Sequence, residues 1–258
     1  MTEMLFILTT IKDGVGLIEL NRPEQFNALN RTMVKEIVDA METFDAESEV
    51  SVILITGRGR AFSAGADINE MADTNPIDLE LLNQFADWDR IARIKKPIIG
   101  AVKGFVFGGG FELALCCDML IAASDTEFCF PEVNLGVMPG AGGTQRLTKI
   151  VGRTKALEWL ISGDRIPVLT AKEHGLVNKV VSVELLMEEA LKFAKKIVNQ
   201  PPLSVRLIKD SVNKAVDYSL YEGMQYERKN FYMLFASQDQ KEGMQAFIEK
   251  RRPKFNGK

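Results

Sequence analysis

The sequence predicts an α/β fold, and three observations support the prediction. In the first half of the chain, short apolar runs rich in Ile, Leu and Val alternate with amphipathic segments, as strands alternate with helices. Glycine-rich segments follow two of the predicted strands, at the carboxyl ends where α/β sheets bind ligands. From about residue 143 onward the pattern becomes mainly helical.

The first predicted element is a β-hairpin. Residues 4–20 form two apolar runs around Asp13-Gly14, a pair that tolerates positive φ in a tight turn. Asn21-Arg22-Pro23 then breaks the strand. A helix is predicted from near Asn30 because apolar residues recur at positions 34, 37, 38 and 41, on one helical face.

The alternation continues with a fully apolar strand at 51–57 and helical residues around 78–94. A strand at 97–104 leads through glycines into a helix at 108–117, and another strand lies near 119–124. Beyond the change in pattern, we predict helices at 154–162, 182–198 and 203–216.

The chain is expected to have two parts: a core with the active site at residues 1–200 and a C-terminal helical region at 201–258, which begins at Pro201-Pro202. Residues 218–250 contain more large apolar and aromatic side chains than a solvated helix needs. Oligomerisation explains this composition. Packing within one chain explains it almost as well.

Composition excludes several classes of protein. The formal charge is -3 and the pI about 5.5, so the broad positive field of a nucleic-acid binder is missing. No apolar stretch approaches the roughly 20 residues that span a bilayer. The first residues resemble neither a secretory signal nor a transit peptide, so we expect a cytoplasmic protein without membrane partners.

The cysteines and the histidine do not form a recognisable catalytic or metal motif. Cys116, Cys117 and Cys129 lack the paired spacing of a zinc or redox site, and we expect buried free thiols and no metal. His174 is the only histidine, in a segment typical of a helix that ends at Gly175. A structural or surface role is expected for it, because no nucleophile or ligand set lies nearby.

Two glutamates are the best candidates for chemistry. Glu112 follows Gly108-Gly109-Gly110 in an apolar helix, and Glu132 has no Lys or Arg within ten residues. A buried carboxyl group is normally paired or has a raised pKa, and either state serves proton transfer. For Glu112, an ordinary acidic residue in a helix's first turn is the alternative. The glycines fit an oxyanion site or tight packing equally well.

Four segments together resemble the signature blocks of the enoyl-CoA hydratase/isomerase (crotonase) family, and the resemblance covers nearly the whole chain. They are NRPEQFNALN, AFSAGADINEM, KKPIIGAVKGFVFGGGFELALCCDMLIAA and FPEVNLGVMPGAGGTQRL. The resemblance implies a crotonase-like spiral of ββα units with a C-terminal helical region that trimerises. It also implies a homotrimer or a dimer of trimers.

The resemblance also assigns roles to residues. Glu112 and Glu132 would be the catalytic acid/base pair, and the backbone N–H groups of Ala66 and Gly109 the oxyanion hole. Gly140 would position the reacting water. Residues along the coenzyme A moiety would be Ala64, Ala66, Asp67 and Ile68. Residues 71–85 would border the acyl pocket.

The activity implied is reversible syn addition of water to a trans-2-enoyl-CoA, giving 3-hydroxyacyl-CoA, without a cofactor. Coenzyme A is part of the substrate. Family isomerases commonly lack the first glutamate, so the pair favours hydration. Phe111 and Cys129-Phe130 depart from the usual residues and bear on substrate shape. The alternatives are an isomerase or another crotonase-type reaction and, less favoured, a non-catalytic acyl-CoA or RNA-binding relative.

Overall fold

The computed structural model describes residues 4–70 and 75–258. It begins with the predicted hairpin, in which β1 (Ile7–Lys12) pairs antiparallel with β2 (Val15–Leu20). Asp13 and Gly14 form the turn with φ values of 52° and 81°. Positive φ at both residues matches the twist of the flanking strands, so the hairpin prediction is confirmed.

The described strands form two sheets. The main sheet continues with β3 (Val52–Gly57), β4 (Ile98–Val102), β6 (Met119–Ala123) and β9 (Lys179–Val181). The second contains β5 (Phe105–Phe107), β7 (Glu127–Cys129) and β8 (Ile166–Pro167). The main-sheet order is β1-β2-β3-β4-β6-β9, parallel from β2 onward. In the second sheet, β5 and β7 are parallel.

The described helices account for most of the remaining chain. In the core they are α1 (Arg31–Ala46), α2 (Pro76–Leu82), α3 (Ala86–Ile91), α4 (Gly109–Leu115), α5 (Gly143–Val151), α6 (Arg153–Ser162), α7 (Val168–Glu173) and α8 (Leu186–Val198). In the C-terminal region they are α9 (Pro202–Ala215), α10 (Leu220–Leu234) and α11 (Gln238–Ile248). The helical segment expected around 78–94 is two helices, because Asn83 adopts left-handed φ of 45° and ends α2.

Helices cover both faces of the main sheet. All residues of β3 are buried, and they alternate between two clusters: Ile53 and Ile55 join the cluster that contains α1, while Val52 and Leu54 join the one that contains α8. This two-residue period explains why β3 is apolar throughout. The α1 helix begins where predicted, because the Asn30 side chain accepts the Met33 N–H at 2.8 Å.

The ββα repeat expected from the resemblance is visible in the order of elements. β4 enters the main sheet, β5 the second sheet, and α4 follows. β6 and β7 repeat this arrangement beside them, followed by a short 3-10 turn at Pro131–Leu135 and then α5. The chain after β3 has the same path, because Ser63 forms a parallel bridge to Val106 of β5. The second-sheet segments of all three units therefore end close together.

The C-terminal helices leave much apolar surface exposed. α9 buries none of its residues, and α10 buries only Asn230. The large exposed apolar side chains of this region include Ile208, Val212, Leu220, Tyr221, Phe231, Tyr232, Met233 and Phe247. Packing within one chain therefore does not account for their number. Among the described residues, no helix is both long and apolar enough to span a membrane.

Candidate active site

Glu112 is buried at the start of α4. The residue is 4% exposed, and its Oε1 accepts the backbone N–H of Ala141 at 2.7 Å and that of Gly143 at 2.8 Å. Burial raises the pKa of this carboxyl group, while the N–H groups of Gly143 and Ala141 and the charge of Arg146 oppose the rise. These donors favour the carboxylate, the form that accepts a proton.

Glu132 has a different environment. It lies in the Pro131–Leu135 turn after β7, half-buried, and its Oε2 is buried without a hydrogen-bond partner among the described residues. Burial raises its pKa to about 7; its own backbone N–H opposes this, and the charge of Glu112 adds to it. Near neutral pH this carboxyl group is therefore protonated in a large fraction of molecules.

The backbone between β5 and α4 brings the two carboxyl groups to one site. Gly108 is the N-cap of α4, with φ of 49°, and its N–H donates to the Cys129 carbonyl at the end of β7. A β-carbon at Gly108 would lie 3.1 Å from Glu132 Oε1. The positive φ therefore favours glycine here, and a β-carbon would also crowd the Glu132 carboxyl group. The Glu132 carboxylate lies against the turn from which the Glu112 helix begins.

Ala66 and Gly109, the two predicted oxyanion-hole residues, are also adjacent. A β-carbon at Gly109 would lie 3.5 Å from the Ala66 nitrogen. Within residues 4–70 and 75–258, neither N–H donates a hydrogen bond. Gly109 is the first residue of α4, where helical N–H groups have no partner within the helix. Two free donors beside two carboxyl groups can stabilise an oxyanion formed there.

Close packing fixes the distance between these segments. A β-carbon at Gly110 would lie 2.5 Å from the Ser63 carbonyl oxygen and 2.6 Å from Ser63 Cβ. Only glycine allows α4 to approach the chain after β3 this closely. The close approach at Gly110 agrees with the packing interpretation of the triple glycine, and it brings the N–H of Gly109 near that of Ala66. The oxyanion-site interpretation stays a prediction.

Asp67 and Gly140 are near this site. Asp67 is paired with Arg22, at 3.2 Å, so its carboxylate is already engaged. Gly140 precedes Ala141, a donor to Glu112, and faces the Phe85 ring, with 2.5 Å from a would-be β-carbon to Cζ. Ala64 is half-buried, and Ile68 is exposed. Part of the segment predicted to border the acyl pocket, residues 71–74, lies outside the described residues.

Two grooves differ in their relation to the carboxyl groups. One, of about 360 Å³, includes Val133 next to Glu132 and Thr144 next to Gly143, and is otherwise largely apolar. Its further residues include Val137, Met138, Leu157, Leu160 and Ile161. The larger one, about 670 Å³, is lined by charged residues near the C-terminus. The smaller groove is lined by the sequence neighbours of Glu132 and Gly143, whereas neither glutamate lines it.

Comparison with known proteins identifies the family of this chain. A family model described as "Enoyl-CoA hydratase/isomerase" matches residues 10–258. The chain belongs to the enoyl-CoA hydratase/isomerase family. It is 46% identical to "Enoyl-CoA hydratase, mitochondrial" from Pongo abelii over 93% of this chain and 83% of the relative. It is 43% identical to "Probable enoyl-CoA hydratase" from Rhizobium meliloti, over 96% of this chain and 97% of the relative.

Solved structures confirm the crotonase-type fold of this family. A Geobacillus kaustophilus crystal structure described as "Enoyl-CoA Hydrates Subunit I" has 62% identity and a TM-score of 0.98, and covers both chains fully. The predicted α/β class and the predicted family are therefore correct. The roles of individual residues, and the division at residues 200 and 201, stay predictions.

The thiols and the histidine of this family member lie mostly as expected. All three cysteines are free, but only Cys129 is fully buried, while Cys116 and Cys117 are half-buried. Burial raises the pKa of Cys116 and Cys129 to about 11, so neither is a reactive thiolate at neutral pH. His174 ends α7, and its ring packs edge-on against Trp159, which agrees with a structural role.

Sequence reasoning did not identify the residues that hold the site together. Arg146 donates to the Ala141 carbonyl at 2.7 Å and supports the loop that binds Glu112. Asn27, fully buried, donates to the carbonyls of Arg58 and Ala61 at 2.9 Å. Both residues lie in blocks that carry the family resemblance, and that position was the only signal in the sequence. Asn27 in particular is one of several polar residues in its block.

Proposed function

We propose that this protein is an enoyl-CoA hydratase, which adds water reversibly and with syn geometry to a trans-2-enoyl-CoA and gives a 3-hydroxyacyl-CoA. The observation that carries this proposal is the unequal environment of the two glutamates. Glu112 accepts two backbone N–H bonds, whereas Glu132 Oε2 has no partner among the described residues. One carboxylate and one carboxylic acid can therefore coexist near neutral pH.

The oxyanion hole would activate the substrate. The thioester oxygen would accept hydrogen bonds from the N–H groups of Ala66 and Gly109. These hydrogen bonds make the β-carbon more electrophilic. Each such donor is worth roughly 3 to 4 kcal/mol to a transition state in which negative charge develops. Because these donors are backbone groups held by close packing, little reorganisation is needed as the charge appears.

The glutamates would then move the protons. Glu112 removes one proton from water as the water oxygen bonds to the β-carbon. Glu132 transfers its proton to the α-carbon, and the electron pair of the C=C π bond forms the new C–H bond there. One O–H bond of water and one π bond break, while C–O and C–H bonds form. Glu112 ends protonated and Glu132 ionised, so one proton must return from Glu112 to Glu132 through solvent. No redox step is involved, and the reaction needs no cofactor.

The direct test is addition of crotonyl-CoA to the purified protein. We expect loss of the enoyl absorbance and formation of 3-hydroxybutyryl-CoA, which chromatography identifies. A 3-enoyl-CoA assayed in parallel distinguishes the alternative, because an isomerase would convert it to the 2-enoyl form. Isomerisation without hydration would refute the proposed reaction, and the absence of both reactions with short and longer acyl chains would indicate a non-catalytic binder.

The pKa of Glu132 predicts a pH dependence. Hydration needs Glu132 protonated, so kcat/KM, which reports the free enzyme, should fall as the pH rises through about 7, where the ionised form begins to dominate. On the acid side, protonation of Glu112 should lower kcat/KM, at a pH above the usual glutamate value because burial raises its pKa. A pH profile of kcat/KM from pH 5 to 9 checks this. A flat kcat/KM between pH 6 and 9 would contradict the assignment of Glu132 as the acid.

The same proposal includes the binding and assembly of the protein. Ala64, Ala66, Asp67 and Ile68 would lie along the coenzyme A moiety, and the apolar groove beside Val133 would receive part of the acyl chain. Self-association as a homotrimer or a dimer of trimers would cover the exposed apolar side chains of α9 to α11. A cytoplasmic location is consistent with the bacterial relatives and is proposed with these assignments.

A further inference from the structure

The direction of the Ala66 N–H is set by a bridge to the N-terminal part of the chain. The Leu29 N–H donates to the Gly65 carbonyl at 2.7 Å, and the Asp67 N–H donates to the Leu29 carbonyl at 2.9 Å. In a trans peptide, the carbonyl and the N–H point in opposite directions. Since the Gly65 carbonyl faces Leu29, the Ala66 N–H points to the other side, where Gly109 lies.

Arg22 joins the two strands of chain that make this bridge. Its Nη1 donates to the Ala28 carbonyl at 2.6 Å, and its Nη2 lies 3.2 Å from Asp67 Oδ2. Ala28 precedes Leu29, and Asp67 follows Ala66. One guanidinium therefore contacts both of the segments that form the bridge. The side chains of Arg22 and Asp67 are only 14% and 19% exposed, which strengthens charge-assisted hydrogen bonds relative to a solvated pair.

The turn that carries Arg22 is itself fixed to the same loop. Asn27 has a left-handed φ of 56°, and its Oδ1 accepts the Arg22 N–H at 2.9 Å. Its Nδ2 donates to the Ala61 carbonyl, and the Ser63 hydroxyl donates to the Asn27 carbonyl at 2.8 Å. Arg22 therefore extends from a rigid base, and loss of its guanidinium would leave this base in place.

We propose that Arg22 is a positioning residue of the oxyanion hole: its guanidinium ties Ala28 to Asp67 and so holds the Ala66 N–H in its productive direction. This inference rests on the proposed function, because it assumes that the Ala66 N–H receives the thioester oxygen. Asp67 then contributes to the oxyanion hole through its ion pair with Arg22, in addition to its predicted position along the coenzyme A moiety. Arginine is required because one planar group must donate in two directions at once.

The kinetic test compares Arg22→Met and Arg22→Lys with the wild type, using crotonyl-CoA. Methionine keeps an apolar stem without donors, and we expect kcat to fall about 10- to 100-fold, since small misplacement of catalytic groups has effects of this size. KM should change less than about threefold. Lysine keeps the positive charge but cannot donate in two directions at once. The kcat of Arg22→Lys should therefore lie between that of the wild type and that of Arg22→Met. Arg58→Gln is the matched control, because Arg58 is exposed and its side chain contacts Asn21.

A spectroscopic measurement separates positioning from folding. A 3-aryl-acryloyl-CoA absorbs at longer wavelength when its carbonyl oxygen accepts strong hydrogen bonds. We expect a shift in the wild type and in Arg58→Gln, and a smaller one in bound Arg22→Met. An Arg22→Met protein with wild-type kcat and shift would overturn the inference. A lower rate explained entirely by a smaller folded fraction, with the shift intact, would do the same.

The wild type distinguishes failure of this inference from failure of the proposed function. If the wild type hydrates crotonyl-CoA and shifts the band while the Arg22 variants match it, only the role of Arg22 is refuted. If the wild type neither hydrates crotonyl-CoA nor shifts the band, the proposed oxyanion hole is refuted, and the role of Arg22 is refuted with it.

Discussion

Glu132→Gln should abolish most hydration and, at the same time, stabilise the fold at alkaline pH. Glutamine keeps the size of the side chain but has no acidic proton for the α-carbon. General acid catalysis contributes about 10²- to 10⁴-fold, and we expect kcat for crotonyl-CoA to fall within that range. Binding of a saturated acyl-CoA, measured by calorimetry, should change little, because the N–H donors of Ala66 and Gly109 remain.

The stability effect follows from the sign of the pKa change. Folding raises the pKa of Glu132 from 4.5 to about 7, so the wild type loses stability as pH rises from about 4.5 through 7. The variant lacks this loss. Its free energy of unfolding relative to the wild type should therefore increase between pH 5 and pH 8 by about 1 to 2 kcal/mol, after allowing for solvent screening of a half-buried group.

Chemical denaturation at both pH values, at one protein concentration, measures this difference. The cost of burying the side-chain amide of Glu132→Gln does not depend on pH, so it cancels when the stability difference between variant and wild type at pH 8 is compared with that at pH 5. Glu127→Gln is the matched control, because Glu127 lies on the same strand-and-turn segment but forms an ion pair with Arg165 at 3.0 Å. It should keep its activity. An active Glu132→Gln protein would exclude the acid role, whereas an inactive one that is destabilised at every pH would indicate misfolding.

Local patterns were sufficient to predict much of the fold. The hairpin at Asp13-Gly14 and the start of α1 after Asn30 depend on a tight turn and on a helix cap, which short segments specify. The break between α2 and α3 was missed because Asn83 in the left-handed conformation looks, in sequence, like any polar helix residue. The ββα spiral required the family resemblance, because pairing between β5 and β7 joins segments far apart in the chain.

In the site, too, local sequence predicted some features, while others depend on contacts between distant segments. The polarity of the surrounding sequence identified Glu112 and Glu132 as poorly solvated carboxyl groups. It could not show that Glu112 accepts the N–H groups of Ala141 and Gly143, whereas Glu132 Oε2 has no hydrogen-bond partner among residues 4–70 and 75–258. That difference arises from contacts across about 30 residues of sequence, between Glu112 and Ala141 or Gly143. Likewise, the link between Arg22 and Asp67 spans 45 residues and leaves no local pattern.

Glu112→Gln should be the complementary variant, folded but unable to activate water. The amide oxygen can still accept the N–H groups of Ala141 and Gly143, so the loop before α5 keeps its support. An amide is not a useful base at neutral pH. We therefore expect kcat for hydration to fall about 10²- to 10⁴-fold. Glu158→Gln, an exposed glutamate paired with Lys155, is the control and should match the wild type.

Exchange of the α-proton separates the two glutamates. In deuterated buffer above pH 7, ionised Glu132 should remove an α-proton from butyryl-CoA, with the resulting enolate stabilised at Ala66 and Gly109. This exchange involves no attack by water. Glu112→Gln should therefore retain most of the exchange, while Glu132→Gln loses it, as mass spectrometry of recovered butyryl-CoA would show. If Glu112→Gln instead loses exchange and Glu132→Gln retains it, the acid and base assignments must be reversed.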